Sequence, residues 1–219
     1  MRKILTVLLP LIFVQSVYAD IVFTNFGPSD TFDNNTGLTV ADSSGTDLKT
    51  SLSFTPTGSF QLAQIDFVTS LLDGGDQNQV TLTLSSADAD GNPGATIEVF
   101  SFSGQMGVLG AASYPPQVLN AVSALNPVLQ SGLTYWITAQ SSPDVTVVWN
   151  QNVMSPNDVG NMAQYQSGAW TTQSVTRGAF RVSGKPVTIS SPEPSVVRLR
   201  TPVMRSDSNP FVISRRETK

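Results

Sequence analysis

The chain has 219 residues, of which 40% are apolar and only 13% charged, a length that predicts one domain or at most two small ones. Because it contains no Cys and no His, disulfide scaffolds, thiolate or imidazole metal sites, Ser-His-Asp triads and Cys nucleophiles are excluded. The low charge and the abundance of Ser and Thr favour an extracellular all-β protein.

The first nineteen residues have the pattern of a secretory signal peptide. Arg2 and Lys3 form a basic start, an apolar run covers 4–14, and small residues end at Ala19, just before Asp20. The run of about 11 residues is too short to cross a membrane, which takes about 20 helical residues. We therefore predict cleavage between Ala19 and Asp20 and a secreted protein, and the absence of Cys fits a bacterial one.

The body of the chain, 20–190, alternates short apolar–polar segments with turns. The clearest segment is 79–85, where Val80, Leu82 and Leu84 share one face and Thr81 and Thr83 the other. The other candidate strands are 21–24, 48–54, 60–69, 96–103, 133–140, 145–149, 179–182 and 187–190. The segment 118–125 fits either a helix or a strand. The spacing predicts a single antiparallel β-sandwich, of jelly-roll or immunoglobulin-like type.

Charge divides along the chain. The body carries thirteen acidic residues against four basic ones, whereas 191–219 carries six basic residues against three acidic ones. An acidic body repels phosphate backbones and anionic lipid head groups, so we expect no nucleic-acid partner. Divalent cations and neutral sugars are compatible with it.

One turn gathers oxygen-bearing side chains. Asp88, Asp90 and Asn92 lie within five residues, and hard oxygen ligands suit Ca²⁺. The alternative is a turn in which the Asp88 side chain binds nearby backbone N–H groups. The turn is thus a candidate Ca²⁺ site, and no other cofactor is predicted.

Three aromatic residues are candidates for stacking against a sugar. Strand periodicity places Tyr135 with Leu133 and Ile137, and places Trp136 on the opposite face with Thr134 and Thr138, where it is exposed unless it fills the core or covers a sheet edge. Trp170 follows a turn-like Ser-Gly pair and is the stronger candidate for an exposed aromatic. We predict ligand contact at Tyr135, Trp136 and Trp170, and the alternative for Trp136 is a role in the core or over a sheet edge.

Catalysis by paired carboxylates has one candidate in the body. Glu98 is its only Glu, and glycosidases on sandwich folds use two acids about 5 to 10 Å apart. A solvated side chain on a strand face is the simpler interpretation. No catalytic residue is predicted.

The tail, 191–219, opens with Pro192, Glu193 and Pro194, which resemble the motif that begins the sorting tail of PEP-CTERM exported proteins. That family has an apolar helix next, but here Arg198 and Arg200 interrupt the apolar residues. Such charges would each cost about 2.5 to 3.5 kcal/mol at the centre of a membrane helix. We predict a disordered basic tail and no membrane span in the mature chain. The tail is either a degenerate anchor or a chance match; a functional sorting tail would place the protein at the cell surface.

The body resembles the choice-of-anchor R type domains of bacterial exported proteins. The resemblance rests on five segments: FTPTGSF at 54–60, VTLTL at 80–84 with NPG at 92–94, LQSGLTYWI at 129–137, WN at 149–150 and GAFRV at 178–182. It implies a β-sandwich carried to the cell surface, and it implies no catalytic residue.

Two functional hypotheses follow. The first is a non-enzymatic secreted or cell-surface protein associated with exopolysaccharide or the extracellular matrix. The second is a carbohydrate-binding or calcium-stabilised adhesion module that uses Trp136 or Trp170 and the turn at 88–92.

Overall fold

The computed structural model describes residues 19–43, 46–73, 78–154 and 158–187, and over these residues the chain is all-β. The strands are β1 (Asp20–Thr24), β2 (Phe32–Ser43), β3 (Thr46–Phe54), β4 (Phe60–Asp73), β5 (Gln79–Ala87), β6 (Pro93–Ser103), β7 (Gly107–Val108), β8 (Gln117–Val122), β9 (Val128–Leu129), β10 (Tyr135–Ser141), β11 (Val145–Asn152), β12 (Val159–Gln166), β13 (Ala169–Thr176) and β14 (Phe180–Pro186). A short 3-10 turn at Pro28–Asp30 separates β1 from β2. Within these ranges, no helix is long and apolar enough to cross a membrane.

The predictions for the two ends of the chain fall largely outside the described residues. These include the signal peptide up to residue 18, the motif Pro192-Glu193-Pro194 and the whole tail. Asp20 is the first residue of β1. Cleavage between Ala19 and Asp20 would therefore leave this strand intact.

The long strand β4 organises the first sheet, which we call the back sheet. One edge of β4 pairs first with β14 and then with β11, and the other edge pairs with β9, β8 and β7. Strand β1 lies outside β14, and β2 lies outside β11. All these strand pairs are antiparallel except the two-residue contact between β4 and β7.

The second sheet, the front sheet, has the order β13-β12-β3-β10-β5-β6 and is antiparallel throughout. The β2–β3 hairpin joins the sheets, because β3 pairs with β2 near its start and with β10 and β12 further along. The predicted all-β antiparallel sandwich is confirmed. The ambiguous segment at 118–125 is mostly strand, because β8 pairs along β4.

The core lies between the two sheets. On β5 the alternation is as predicted, with Val80, Leu82 and Leu84 buried in the core. Trp149 on β11 is fully buried, and its indole N–H donates to the carbonyl of Ala179 at 3.1 Å. Gly178 lies against this ring, because a Cβ there would be 2.3 Å from Trp149 Cδ1. Trp149 can therefore occupy its place in the core only because residue 178 is a glycine.

The front sheet is strongly curled. The hydroxyl of Thr172 on β13 donates to the side-chain oxygen of Asn92 in the β5–β6 turn at 3.3 Å. Four strands, β12, β3, β10 and β5, lie between these two residues in the sheet order. A flat sheet would keep them far apart, since neighbouring strands are about 4.8 Å apart. The face turned away from the core is therefore concave.

An arginine network fixes the base of the β12–β13 hairpin. The Arg177 guanidinium donates to both carboxylate oxygens of Asp158, each at 2.7 Å, and to the carbonyl of Ser53 on β3 at 2.8 Å. The Asn25 side chain, just after β1, donates to Asp158 Oδ2 at 3.1 Å. The guanidinium also lies 4.8 Å from the ring centre of Phe23. The network connects the hairpin to both sheets.

We predict that Arg177→Met lowers the free energy of unfolding by about 3 to 5 kcal/mol, because the partly buried Asp158 carboxylate loses its cation. Urea denaturation followed by tryptophan fluorescence measures this. The matched control is Lys185→Met, at an exposed cation on β14, which should change the free energy by no more than about 0.5 kcal/mol. Equal effects of the two variants would contradict the role of the network.

Candidate functional site

The concave face of the front sheet holds a cleft of about 260 Å³, which we call the concave cleft. Its floor comes from β3, β5 and β10, and its walls come from the start of β6 and from β13. The residues that line it are Lys49, Thr83, Ser85, Pro93, Gly94, Thr96, Thr138, Gln140 and Trp170. Most of these side chains are neutral and polar.

Strand alternation places the floor residues. On β5, Leu82 and Leu84 point into the core, so Thr83 and Ser85 point into the cleft. Thr138 on β10 occupies the same face, and its hydroxyl lies 2.9 Å from that of Ser51. The hydroxyl of Ser85 is buried and has no hydrogen-bond partner among the described residues. A buried polar group of this kind normally has a partner, so the hydrogen-bonding capacity of Ser85 is unused among the described residues.

The β12–β13 hairpin supplies the aromatic wall. Its turn is Ser167-Gly168, with φ values of 53° and 89°, the geometry of a two-residue type I′ hairpin turn. This register places Trp170 opposite Tyr165, and the two rings meet edge to face at 5.3 Å. The Lys49 ammonium lies 4.9 Å from the ring centre of Tyr165. Neighbouring groups therefore support Trp170 at the cleft.

The cleft combines one large aromatic surface with hydroxyl and amide groups. Ligand pockets typically join apolar or aromatic walls to a few placed polar groups that orient the ligand. A sugar ring presents both kinds of surface, since its C–H face is apolar and its rim carries hydroxyls. The prediction that Trp170 is accessible agrees with its partly exposed position in the cleft wall.

Two of the predicted aromatic contacts are placed differently. Trp136 is on the predicted face, and of its two alternatives the buried one is correct: it is 1% exposed, because the curled sheet encloses this face. Tyr135 points into the core, where it stacks on Phe54 at 5.7 Å, and its hydroxyl accepts a hydrogen bond from the Gln130 N–H at 2.8 Å. Neither residue is among those that line the cleft.

The polar floor is the part that the sequence analysis missed as a site. Thr83 and Thr138 were assigned to the face opposite the core, but they were treated only as the outer side of strands. The missed signal is that Ser and Thr occupy this face on adjacent strands: Ser51 on β3, Thr138 on β10 and Thr83 on β5 are aligned in register. Recognising it requires the strand order, which the sequence does not supply.

The turn at 88–92 lies beside the cleft and is closed by its own side chains. Asp88 Oδ1 accepts the backbone N–H groups of Asp90 and Asn92, at 2.9 and 2.8 Å. Asn92 Oδ1 accepts the Thr172 hydroxyl. Over the described ranges, no group of three His, Cys, Asp or Glu side chains is placed to hold a metal ion. Calcium binding at Asp88, Asp90 and Asn92 stays a prediction.

Glu98 is buried, so the expectation of a solvated strand residue is wrong. Regular alternation along β6 puts Glu98 on the same buried face as Phe100, while Val99 is exposed, and the β-bulge lies just before it, between Thr96 and Glu98. Its carboxylate accepts the Ser123 hydroxyl at 2.6 Å and the backbone N–H groups of Ala124 and Leu125 at 2.7 and 3.1 Å. Glu98 therefore holds the loop after β8.

Two groups with displaced pKa values lie outside the cleft. Hydrogen bonds from the Asn35 and Thr36 backbone and from the Thr36 hydroxyl outweigh partial burial and lower the pKa of Asp33. Burial opposes the charge on Arg181, but hydrogen bonds and charge from Asp66 and Asp30 prevail and raise its pKa. Both cases are explained by contacts within the fold.

Comparisons with protein families, with curated proteins and with solved structures find no match to this chain.

We predict that Glu98→Ala lowers the free energy of unfolding by about 2 to 3 kcal/mol, because three donors lose their acceptor. Glu98→Gln is the matched variant: it keeps an oxygen acceptor and should lose less. Urea denaturation measures both. Wild-type stability of Glu98→Ala would contradict the proposed role in the loop.

We predict that Asp33→Asn is less stable than the wild type at pH 7 and that the difference shrinks below about pH 4. The folded-state pKa of Asp33 is lowered, so its contribution is present above the unfolded pKa and disappears as the pH falls through the folded one. Thermal melts from pH 7 to strongly acidic buffer test this. A difference that stays constant with pH would count against it.

Proposed function

We propose that this is a non-enzymatic secreted or cell-surface β-sandwich protein that associates with extracellular polysaccharide, and that the concave cleft binds the sugar. The observation that carries the proposal is the pairing of Trp170 with a floor of neutral hydroxyl and amide groups. An aromatic face provides a large contact area at low entropic cost, and the polar floor can satisfy sugar hydroxyls.

The secreted location is supported by the sequence pattern of the first nineteen residues. The resemblance to choice-of-anchor R type domains supports the same location. The non-enzymatic character is supported by Glu98, whose carboxylate oxygens are occupied by the 123–125 loop. A glycosidase would need such a group free to transfer a proton.

The uncharged floor favours neutral sugar units. Lys49 is the one charged residue among those that line the cleft, and its ammonium is already 3.3 Å from Asp47 Oδ2. Since this pair is locally neutral and the body is acidic, the cleft has little attraction for polyanions. Hydrogen bonding and stacking are then the main sources of affinity.

Affinity electrophoresis of the purified full chain through gels that contain a panel of neutral and acidic polysaccharides tests the proposal. Each gel is run with calcium and with chelator, so that a calcium requirement is measured separately. We expect retardation by at least one neutral glycan. Absence of retardation throughout the panel would contradict the proposed function.

We predict that Trp170→Ala weakens binding to the retarding glycan about tenfold, because the stacking surface is lost. Tyr114→Ala is the matched control, since Tyr114 is an aromatic residue that is 46% exposed and lies outside the cleft lining. The control should bind like the wild type. If Trp170→Ala binds the glycan as well as the wild type does, the binding site lies outside the concave cleft.

A further inference from the structure

Strand β13 is an open edge of the front sheet. Its eight residues pair with β12 in continuous register, from Ala169 opposite Gln166 to Thr176 opposite Val159, without a bulge. In the part of the chain that the structure describes, no strand pairs with its other side. This side presents backbone N–H and C=O groups that a further strand could bind.

The hairpin turn determines which groups point outward. In a two-residue hairpin the residues that flank the turn form a hydrogen-bonded pair, and such pairs recur at every second residue. The backbone hydrogen bond from the Arg177 N–H to the Asp158 carbonyl, at 3.0 Å, belongs to the same series, because Arg177 lies an even number of residues after Ala169. The backbone groups of Gln173 therefore point to β12, and those of Thr172 and Ser174 point to the open edge.

Other edge strands carry features that discourage pairing. β1 contains a bulge and begins with Asp20. β6 contains bulges and begins with Pro93. β8 is shorter and follows Pro115 and Pro116. Natural proteins use bulges, prolines, charges and short strands in this way. β13 has none of these protections, since its sequence AWTTQSVT contains neither a charge nor a proline.

We propose that β13 is a self-association surface, and that it pairs antiparallel with β13 of a second copy about a two-fold axis. The register that uses all the outward groups between Trp170 and Thr176 is centred on Gln173. It places Thr172 of one copy opposite Ser174 of the other, and Thr–Ser pairs are favourable across strands. The inference does not depend on the proposed function.

Charge explains why a second copy fits this strand. The body of the chain has a large excess of acidic residues, so two copies repel each other over most of their surfaces. β13 carries no charged residue, so neither copy brings a charge to the contact. A charged peptide would find no complementary group on the strand. A two-fold contact between identical strands also closes on itself, which limits the assembly to a dimer.

A cysteine at the centre of the contact provides a direct test. Because the chain has no Cys, the full-length Gln173→Cys variant can form only disulfides made by the introduced residue. The proposed register places the two copies of position 173 opposite each other in a non-hydrogen-bonded pair, about 4.5 Å apart at Cα, within the range for a disulfide. Mild oxidation should give a covalent dimer. Gln130→Cys, at an exposed glutamine outside the strands, is the control and should give none.

Sedimentation velocity of the wild type and of two variants completes the test. The wild type should be a dimer whose fraction rises with concentration, and Ser174→Pro should be a monomer, because proline removes an outward N–H but no bond to β12. If that variant does not fold, Gln173→Lys opposes two like charges and should also be a monomer. A wild type that stays monomeric at its solubility limit, or a dimer that survives these substitutions, would overturn the proposal.

Discussion

The ion pair between Arg177 and Asp158 is the contact on which the concave face of the front sheet depends. It joins the two ends of the β12–β13 hairpin, and it reaches β3 through Ser53 and the residues after β1 through Asn25. A hairpin of mostly polar residues has little apolar surface to hold it against a core, and isolated hairpins are at best marginally stable. The network adds to the attachment given by the buried Met162 and Ala163 and by the pairing of β12 with β3.

The cleft follows from this attachment. With its base fixed, the hairpin continues the curl of the front sheet until Thr172 meets Asn92 at the β5–β6 turn. The curl turns the outer face of the sheet into a concavity and encloses Trp136 within it. The residues that an ordinary sandwich would expose to solvent, such as Thr83 and Thr138, thereby become the floor of the concave cleft.

The sequence predicted the parts of the fold that depend on local alternation. Strand β5 was identified because three aliphatic residues alternate with threonines, a pattern that indicates a strand with one buried face. Strands β12 and β13 were missed because polar residues predominate in both and the few buried apolar ones, such as Met162 and Ala163, give no clear alternation. Glu98 was misplaced because its neighbours Ile97 and Val99 are apolar, although the alternation with Phe100 and Phe102 would have placed it inside.

The candidate site, too, could be predicted only where it depends on local sequence. Trp170 could be selected from its turn, since Ser167-Gly168 determines a local structure. Its partners could not, because Ser85, Thr138 and Lys49 lie on three strands distant in sequence, and only the sheet order brings them together. The face of Trp136 was predicted correctly, but whether it is exposed depends on the curl of the whole sheet.

The lack of charge in β13 connects the two proposals. Alternate residues of this strand face the concave cleft, as Trp170 does, while their backbone groups face the open edge. A dimer formed through this edge would carry two clefts on one continuous sheet, related by the two-fold axis. On a polymer with repeated sugar units, the second cleft binds at a high effective concentration, so modest affinity at each cleft yields much tighter attachment. Charge on this strand would oppose the proposed dimer, whereas its neutral threonines and serine leave the edge free to pair beside the cleft that Trp170 lines.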